Sequence, residues 1–248
     1  VRVGVLDRFL TPKEVKETLR LVSQHKIDIL CGTHRVLSKD VVFEDLGLVI
    51  LDEEQKFGVE HKEKIKIEQK NINCLTLSAT PIPRTLHMAL SGIRDISVIS
   101  TPPTNRTPTQ TYVTEYTDNL LKSVVERELA RDGQVFIVYN RVESIYAFAD
   151  KVKSLVPNAK IVVGHGQLLG TELEDVIYKF YNHLADVLIC TTIIENGIDL
   201  PNANSLIVMD SDRLGLSQLY QIRGRVGRGN RAGFAYFTYK PEKSLSED

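Results

Sequence analysis

Residues 217–229, SQLYQIRGRVGRG, concentrate the side chains in this chain best suited to hold phosphate: Gln218, Gln221, Arg223, Arg225 and Arg228. Each arginine presents a planar, permanently charged fork of donors. Three residues apart, Arg225 and Arg228 can project to the same side and reach one polyphosphate. Gly224, Gly227 and Gly229 remove side-chain bulk between them, so the backbone can come close to a ligand. A second group capable of chemistry stands where the apolar run 46–51 ends in Asp52, Glu53, Glu54 and Gln55. That run suits a central strand of a parallel sheet covered on both faces, and open α/β sheets bind ligands at the carboxyl ends of their strands. There Asp52 would hold a magnesium ion through water, and Glu53 would orient and deprotonate the water that attacks a terminal phosphate. The plainer reading is a solvated strand end, which acidic residues often make.

The elements that must position these groups follow from periodicity. Residues 1–6 alternate as a strand would. A helix follows, with Thr11 as cap, Pro12 in the first helical position, Glu14 completing a capping box, and Val15, Leu19 and Val22 at helical spacing. Residues 27–31 read as a short buried strand that ends in Gly32, Thr33, His34 and Arg35. Residues 74–77 read as the next strand, ending in Ser78, Ala79, Thr80 and Pro81. After Pro83 the spacing of Leu86, Ala89 and Leu90 predicts a helix, and 96–99 predicts a last strand. Pro102, Pro103 and Pro108 favour an extended, semi-rigid connector. The expected organisation is a first lobe at 1–103, a linker at 104–110 and a second lobe at 111–248.

The second half repeats the rhythm. Leu120, Leu121, Val124, Val125 and Leu129 form one helical face that stops at Gly133, residues 134–139 form a strand, and Ile145, Phe148, Ala149, Val152 and Leu155 form the next helix. Residues 160–163 are a strand; Thr171 and Glu174 predict a capping box for a helix through Tyr181; 186–190 and 205–209 are strands. Strand and helix alternate throughout, so the sheet is expected to be parallel. Polar groups again follow the apolar runs: Asn140 and Arg141; Gly164, His165, Gly166 and Gln167; Thr191 and Thr192. Amides, hydroxyls and open backbone of this kind hold a sugar-phosphate backbone without reading sequence. For 164–167 the alternative is a glycine turn with a surface histidine.

With 248 residues, 42% of them hydrophobic, the chain can bury one large or two medium cores. No apolar run approaches the length of a membrane span and no secretion signal opens the chain, so a cytoplasmic protein without membrane association is expected. Cys31, Cys74 and Cys190 are widely separated and lie in or beside apolar runs, which reads as reduced core cysteines and no structural metal. Lys+Arg number 31 and Asp+Glu 32, a net charge of −1, so any nucleic-acid contact must be local.

The spacing Gln-x-x-Gly-Arg-x-Gly-Arg from Gln221 to Arg228 resembles the last ATP-binding motif of superfamily 2 helicases, where the arginines act as fingers on the terminal phosphate. Asp52 to Gln55 resembles their DExH-type Walker B box, and Ser78-Ala79-Thr80 resembles the motif that links ATP state to the cleft between lobes. Residues 191–201, with Gly197 and Asp199, resemble the motif that touches both DNA and ATP. Between these, LDEEQKFGV at 51–59, ATPIPRTLHM at 79–88 and SGIRDISV at 91–98 followed by Thr101, Pro102 and Pro103 are similar to the motor of the bacterial transcription-repair coupling factor family, Mfd. The RecG fork-reversal family is the next relative, but its box and following helix differ.

This resemblance implies two RecA-like α/β lobes of the P-loop NTPase helicase fold, the first truncated at its N-terminus. It implies ATP and Mg2+ as cofactors, with Gln221, Gly197, Asp199, Arg225 and Arg228 on the nucleotide. Double-stranded DNA would be held by Thr33, His34, Arg35, Asn140, Arg141, Gly164 to Gln167, Thr191 and Thr192. RNA polymerase and UvrA are the implied partners of the full-length protein. One element is missing: no Gly-x-x-x-x-Gly-Lys-Ser/Thr occurs, and no Gly-Lys dipeptide at all, so this chain is expected not to hydrolyse ATP or translocate alone. A non-catalytic helicase-like interaction module would also lack that loop, but it should also have lost the carboxylates or the arginines. A dinucleotide-binding dehydrogenase would share the α/β rhythm, yet no Gly-x-Gly-x-x-Gly opens a helix.

Overall fold

The computed structural model describes residues 1–7, 10–53, 72–78, 95–101, 108–192, 202–227 and 231–240. The chain divides into two compact units, Val1–Ser97 and Val98–Asp248.

In the first unit, β1 (Val3–Leu6) pairs in parallel with β2 (Ile29–Gly32), and β3 (Leu48–Asp52) pairs in parallel with β4 (Asn73–Leu77). Between β1 and β2 runs α1 (Pro12–Ser23). Its start is the capping box the sequence predicts: the Glu14 carboxylate accepts from the Thr11 amide at 2.8 Å, and the Glu14 amide donates to the Thr11 hydroxyl at 3.4 Å. Hydrogen bonds from the Thr11 hydroxyl and amide hold the Glu14 carboxyl below its usual pKa.

Three expectations fail here. The strands at 27–31 and 46–51 are not covered on both faces: Ile29, Leu48 and Ile50 are 49%, 52% and 57% exposed. Among the described residues each ladder has only two strands, and a pair leaves much of both faces open. For the same reason Cys31 and Cys74, on these strands, are exposed; only Cys190 is a core cysteine. Residues 95–100 form no strand, and Ile96, Val98 and Ile99 are exposed. β-branched content marks a side chain that fits a pleated, half-buried surface, and it does not make a strand where no neighbour pairs with it. The helix expected after Pro83 and residues 102–107 of the expected proline connector lie outside the described residues.

The second unit is built on one six-stranded, all-parallel sheet. Its strands are β5 (Gln110–Glu115), β6 (Gln134–Val138), β7 (Ile161–Gly164), β8 (Val187–Cys190), β9 (Ala203–Val208) and β10 (Phe234–Tyr239), in the order β5-β10-β9-β6-β8-β7. Helices α2 (Asp118–Leu129), α3 (Ile145–Leu155), α4 (Gly170–Tyr181) and α5 (Leu216–Arg223) connect them. Successive residues of β6 face opposite sides. Val135 and Ile137 pack with Leu121, Val125, Ile145 and Val152, whereas Phe136 and Val138 pack with Phe180, Ile222 and Val226. Both faces are therefore covered, and β6, β8 and β9 are buried along their whole length.

Two strands have no counterpart in the sequence reading. β5 and β10 pair with each other along six residues, from Gln110 opposite Phe234 to Glu115 opposite Tyr239. Their sequences, QTYVTE and FAYFTY, do carry the β-branched and aromatic signature of strands. The start of α4 also differs. Thr171 is not its cap; the helix begins at Gly170, and the Leu169 amide donates to the Glu172 carboxylate at 3.0 Å. Glu172, not Glu174, thus satisfies the donor at the helix entrance.

Candidate functional site

The chemistry-bearing residues collect at strand ends. Asp52 is the last residue of β3 and lies opposite Leu77 of β4. The Glu53 amide donates to the Leu77 carbonyl at 3.0 Å, extending the ladder one step, and Ser78 follows directly on β4. Asp52, Glu53 and Ser78 are therefore gathered at one carboxyl edge. Glu53 has φ +54, a left-handed conformation that costs a non-glycine residue about 1–3 kcal/mol and that clusters at functional sites. An exposed Asp52 carboxylate offers the hard oxygen donors that magnesium takes.

At the carboxyl end of β2, Gly32 is required by packing: a Cβ there would stand 2.2 Å from the Leu6 carbonyl oxygen. The chain then turns through a short 3-10 helix, His34–Leu37. Thr33 and His34 are exposed, and Arg35 is held in a two-pronged pair with Asp40 at 2.7 and 2.5 Å.

In the second unit the parallel sheet brings four strand ends side by side. The Tyr139 amide donates to the Cys190 carbonyl at 2.8 Å, the Thr191 amide to Gly164 at 3.3 Å, and the Met209 amide to Val138 at 2.9 Å. These bonds place Asn140 and Arg141, Gly164 to Gln167, Thr191 and Thr192, and Asp210 along one edge. Asn140, Gly166 and Gln167 are exposed, and Thr192 donates to the Asn140 side chain at 3.4 Å. The alternative of a surface histidine is excluded, because His165 is 6% exposed. Its Nε2 meets the Tyr146 hydroxyl at 2.9 Å, and the Tyr146 ring stands perpendicular to it at 5.5 Å. His165 Nδ1 and Thr191 Oγ1 are both buried without a hydrogen-bond partner. Polar atoms in that state carry a desolvation penalty until something bonds them.

Arg141 pairs with the Asp210 carboxylate. Sequence reasoning did not single out Asp210. The rule that functional groups follow parallel strands could have found it, since it stands two residues after β9.

The arginine segment leaves this edge. Helix α5 runs back along the sheet, and the Gly227 amide donates to the carbonyl of Ala203, the first residue of β9. Gln221 and Arg225 are partly buried on this return. Gly227 has φ +70, and a Cβ there would meet Thr109 Oγ1 at 2.9 Å; Gly224, by contrast, has ordinary space for one. Only the first of these two glycines is demanded by the backbone. Gln55, Ala79, Thr80, Gly197, Asp199 and Arg228 lie outside the described residues.

Two family descriptions account for most of the chain. Residues 2–89 match the DEAD/DEAH box helicase, and residues 115–230 match the helicase conserved C-terminal domain. The chain belongs to the helicases. The helicase chain is 58% identical over 247 residues to a transcription-repair-coupling factor of Bacillus subtilis (strain 168), covering 100% of this chain and 21% of that protein. It thus spans about a fifth of the length of this relative. A structure of RecG bound to a three-way DNA junction matches with a TM-score of 0.70 and 34% identity, covering 98% of this chain and 32% of that one. The helicase Lhr of Mycobacterium smegmatis, solved with single-stranded DNA and AMP-PNP, superposes with a TM-score of 0.73 at 15% identity over 97% of this chain and 35% of that one, a likeness of fold. The mixed α/β architecture with its parallel sheet is therefore the RecA-like helicase fold. Among the described residues, no helix is long and apolar enough to cross a membrane.

Proposed function

We propose that this chain is the motor portion of an ATP-driven double-stranded DNA translocase acting in transcription-coupled repair. The observation that carries the reading is the Asp52–Glu53 corner: two consecutive carboxylates at the carboxyl end of a parallel strand, the second in a left-handed conformation beside Ser78. Asp52 would hold magnesium, which supplies charge neutralisation at the phosphates. Glu53 orients and deprotonates the attacking water. Arg225 and Arg228 stabilise charge on the terminal phosphate, Gln221, Gly197 and Asp199 contact the nucleotide, and Ser78, Ala79 and Thr80 relay its state.

The nucleic acid is held by Thr33, His34 and Arg35 of one unit and by Asn140, Arg141, Gly164 to Gln167, Thr191 and Thr192 of the other. Most of these groups are uncharged, and the chain has a net charge of −1. Duplex binding by local backbone contacts suits that composition. RNA polymerase, which the motor would displace, and UvrA are partners of the full-length protein on this reading, and 58% identity to a transcription-repair-coupling factor supports it. A branched-DNA, fork-reversal activity is the second reading, favoured by the 34% identity to RecG.

The test is ATP turnover, with and without duplex DNA, by this chain and by the full-length protein with a phosphate-binding loop. DNA-stimulated hydrolysis by the full-length protein alone is the expected result. An inactive full-length protein would instead make the fold a binding module. Release of stalled polymerase without reversal of model forks separates the first reading from the second.

A further inference from the structure

The Arg141–Asp210 pair joins two parts of the second unit that the proposed function uses separately. Arg141 follows β6 at the nucleic-acid edge, and its side chain is 37% exposed; Asp210 follows β9, and its side chain is 14% exposed. The acid is thus largely enclosed while part of the guanidinium still faces solvent. Asp210 also heads the segment that leads to the arginines. Its backbone is left-handed, with φ +48, and its carbonyl accepts from the Arg213 amide at 3.0 Å to open a 3-10 turn, Ser211–Arg213. The Ser211 hydroxyl ties that turn to the Thr238 carbonyl of β10 at 3.1 Å. Gly215 then enters α5, and Gln221 and Arg225 lie at its far end. An eight-residue helix is short and stiff, so a displacement at its entrance is carried to its exit.

We propose that Asp210 is a positioning residue that links occupancy of the nucleic-acid edge to the setting of the arginine segment. A backbone phosphate arriving at Arg141 competes with the Asp210 carboxylate for one guanidinium. Two anions crowded on one cation repel each other, so arrival of the phosphate loosens Asp210 and with it the root of α5. This inference rests on the reading of Arg141 as a phosphate contact.

The test uses Asp210→Asn and Arg141→Gln in the full-length protein. Asparagine tolerates the left-handed backbone and keeps the shape, so the variant removes charge without forcing a refold. With the competing anion gone, duplex affinity at low salt should rise about two- to tenfold, the scale of a partly exposed ion pair. DNA stimulation of kcat for ATP should fall at least about fivefold, with KM for ATP unchanged; opposite signs for binding and stimulation are the signature. In the Arg141→Gln background, Asp210→Asn should add nothing. Affinity and stimulation falling together, or neither changing, would overturn the link and make Asp210 a support for Arg141 or a bystander. Unchanged duplex affinity in Arg141→Gln alone would overturn the reading of the edge itself, and the inference with it.

Discussion

Gly227 and Gly233 meet backbone to backbone: a Cβ on Gly233 would lie 2.8 Å from the Gly227 Cα and 3.2 Å from Thr109 Oγ1. Gly227 stands two residues after Arg225, so this close approach anchors the chain just beyond that arginine. Gly233→Ala should force the two backbones apart, at a cost of about 1–3 kcal/mol of overpacking. The expected phenotype is a modest drop in melting temperature with a much larger loss of kcat in the full-length protein. Equal, small losses in both would mean that Arg225 tolerates a shift of this anchor.

Glu53→Gln should abolish ATP hydrolysis while sparing nucleotide binding, because the amide keeps the shape and loses the base. Single-turnover hydrolysis together with fluorescent-nucleotide titration of the full-length protein checks it. Retained turnover would remove Glu53 from the role of base.

Arg225→Ala should lower turnover by about 10³ to 10⁵, the range for an arginine that stabilises transferring phosphate. Steady-state ATPase measurement suffices. A loss below about tenfold would mark Arg225 as structural.

Glu128 is fully buried and holds Arg131 in a two-pronged pair at 2.7 Å, with Arg127 at 3.6 Å and the Ser205 hydroxyl also bonded to it. Removing the carboxylate takes a buried acceptor from Arg131 and Arg127, whose side chains are 29% and 39% exposed, and from the Ser205 hydroxyl. Glu128→Ala should therefore destabilise the chain by about 1–3 kcal/mol. Denaturant unfolding measures this directly, and a shift under about 0.5 kcal/mol would mean that water replaces the carboxylate at the arginines.

The Asp118 carboxyl is held below its usual pKa, chiefly by Lys151, whose ammonium lies at 2.6 Å, and also by the Tyr116 hydroxyl. A depressed folded-state pKa means that this stabilisation is complete above the ordinary carboxylate value and is lost as pH falls through the lower folded value. The pair is about half exposed, so the effect is small and screened by salt. The melting-temperature gap between the native chain and Asp118→Asn should be present at neutral pH and close as pH falls below about 4. A gap independent of pH would assign the effect to helix α2 and not to the ion pair.

Much of this architecture is legible without coordinates. Local chemistry determined the capping box of Thr11 and Glu14, the strands and helices from 118 to 190, and the arrangement of polar groups after apolar runs, because caps, periodicity and strand ends are written within a few residues of each other. Some misses were failures to use a signal that was present, as in QTYVTE and FAYFTY. Others needed a neighbour. Whether Ile29 or Cys31 is covered depends on a layer contributed by distant residues, and 95–100 is no strand because no pairing partner stands beside it among the described residues.

The site divides in the same way. Residue types and spacing by themselves singled out the carboxylates, the arginines and the strand-end polar groups of this helicase chain as candidates. Only the tertiary structure decided that His165 and Thr191 are buried with unbonded atoms, that α5 carries its arginines away from the edge where it starts, and that Asp210 holds Arg141. Those facts depend on strand order and on burial, which are set by contacts between residues distant in the chain, 69 positions apart for Arg141 and Asp210, and no local pattern encodes them.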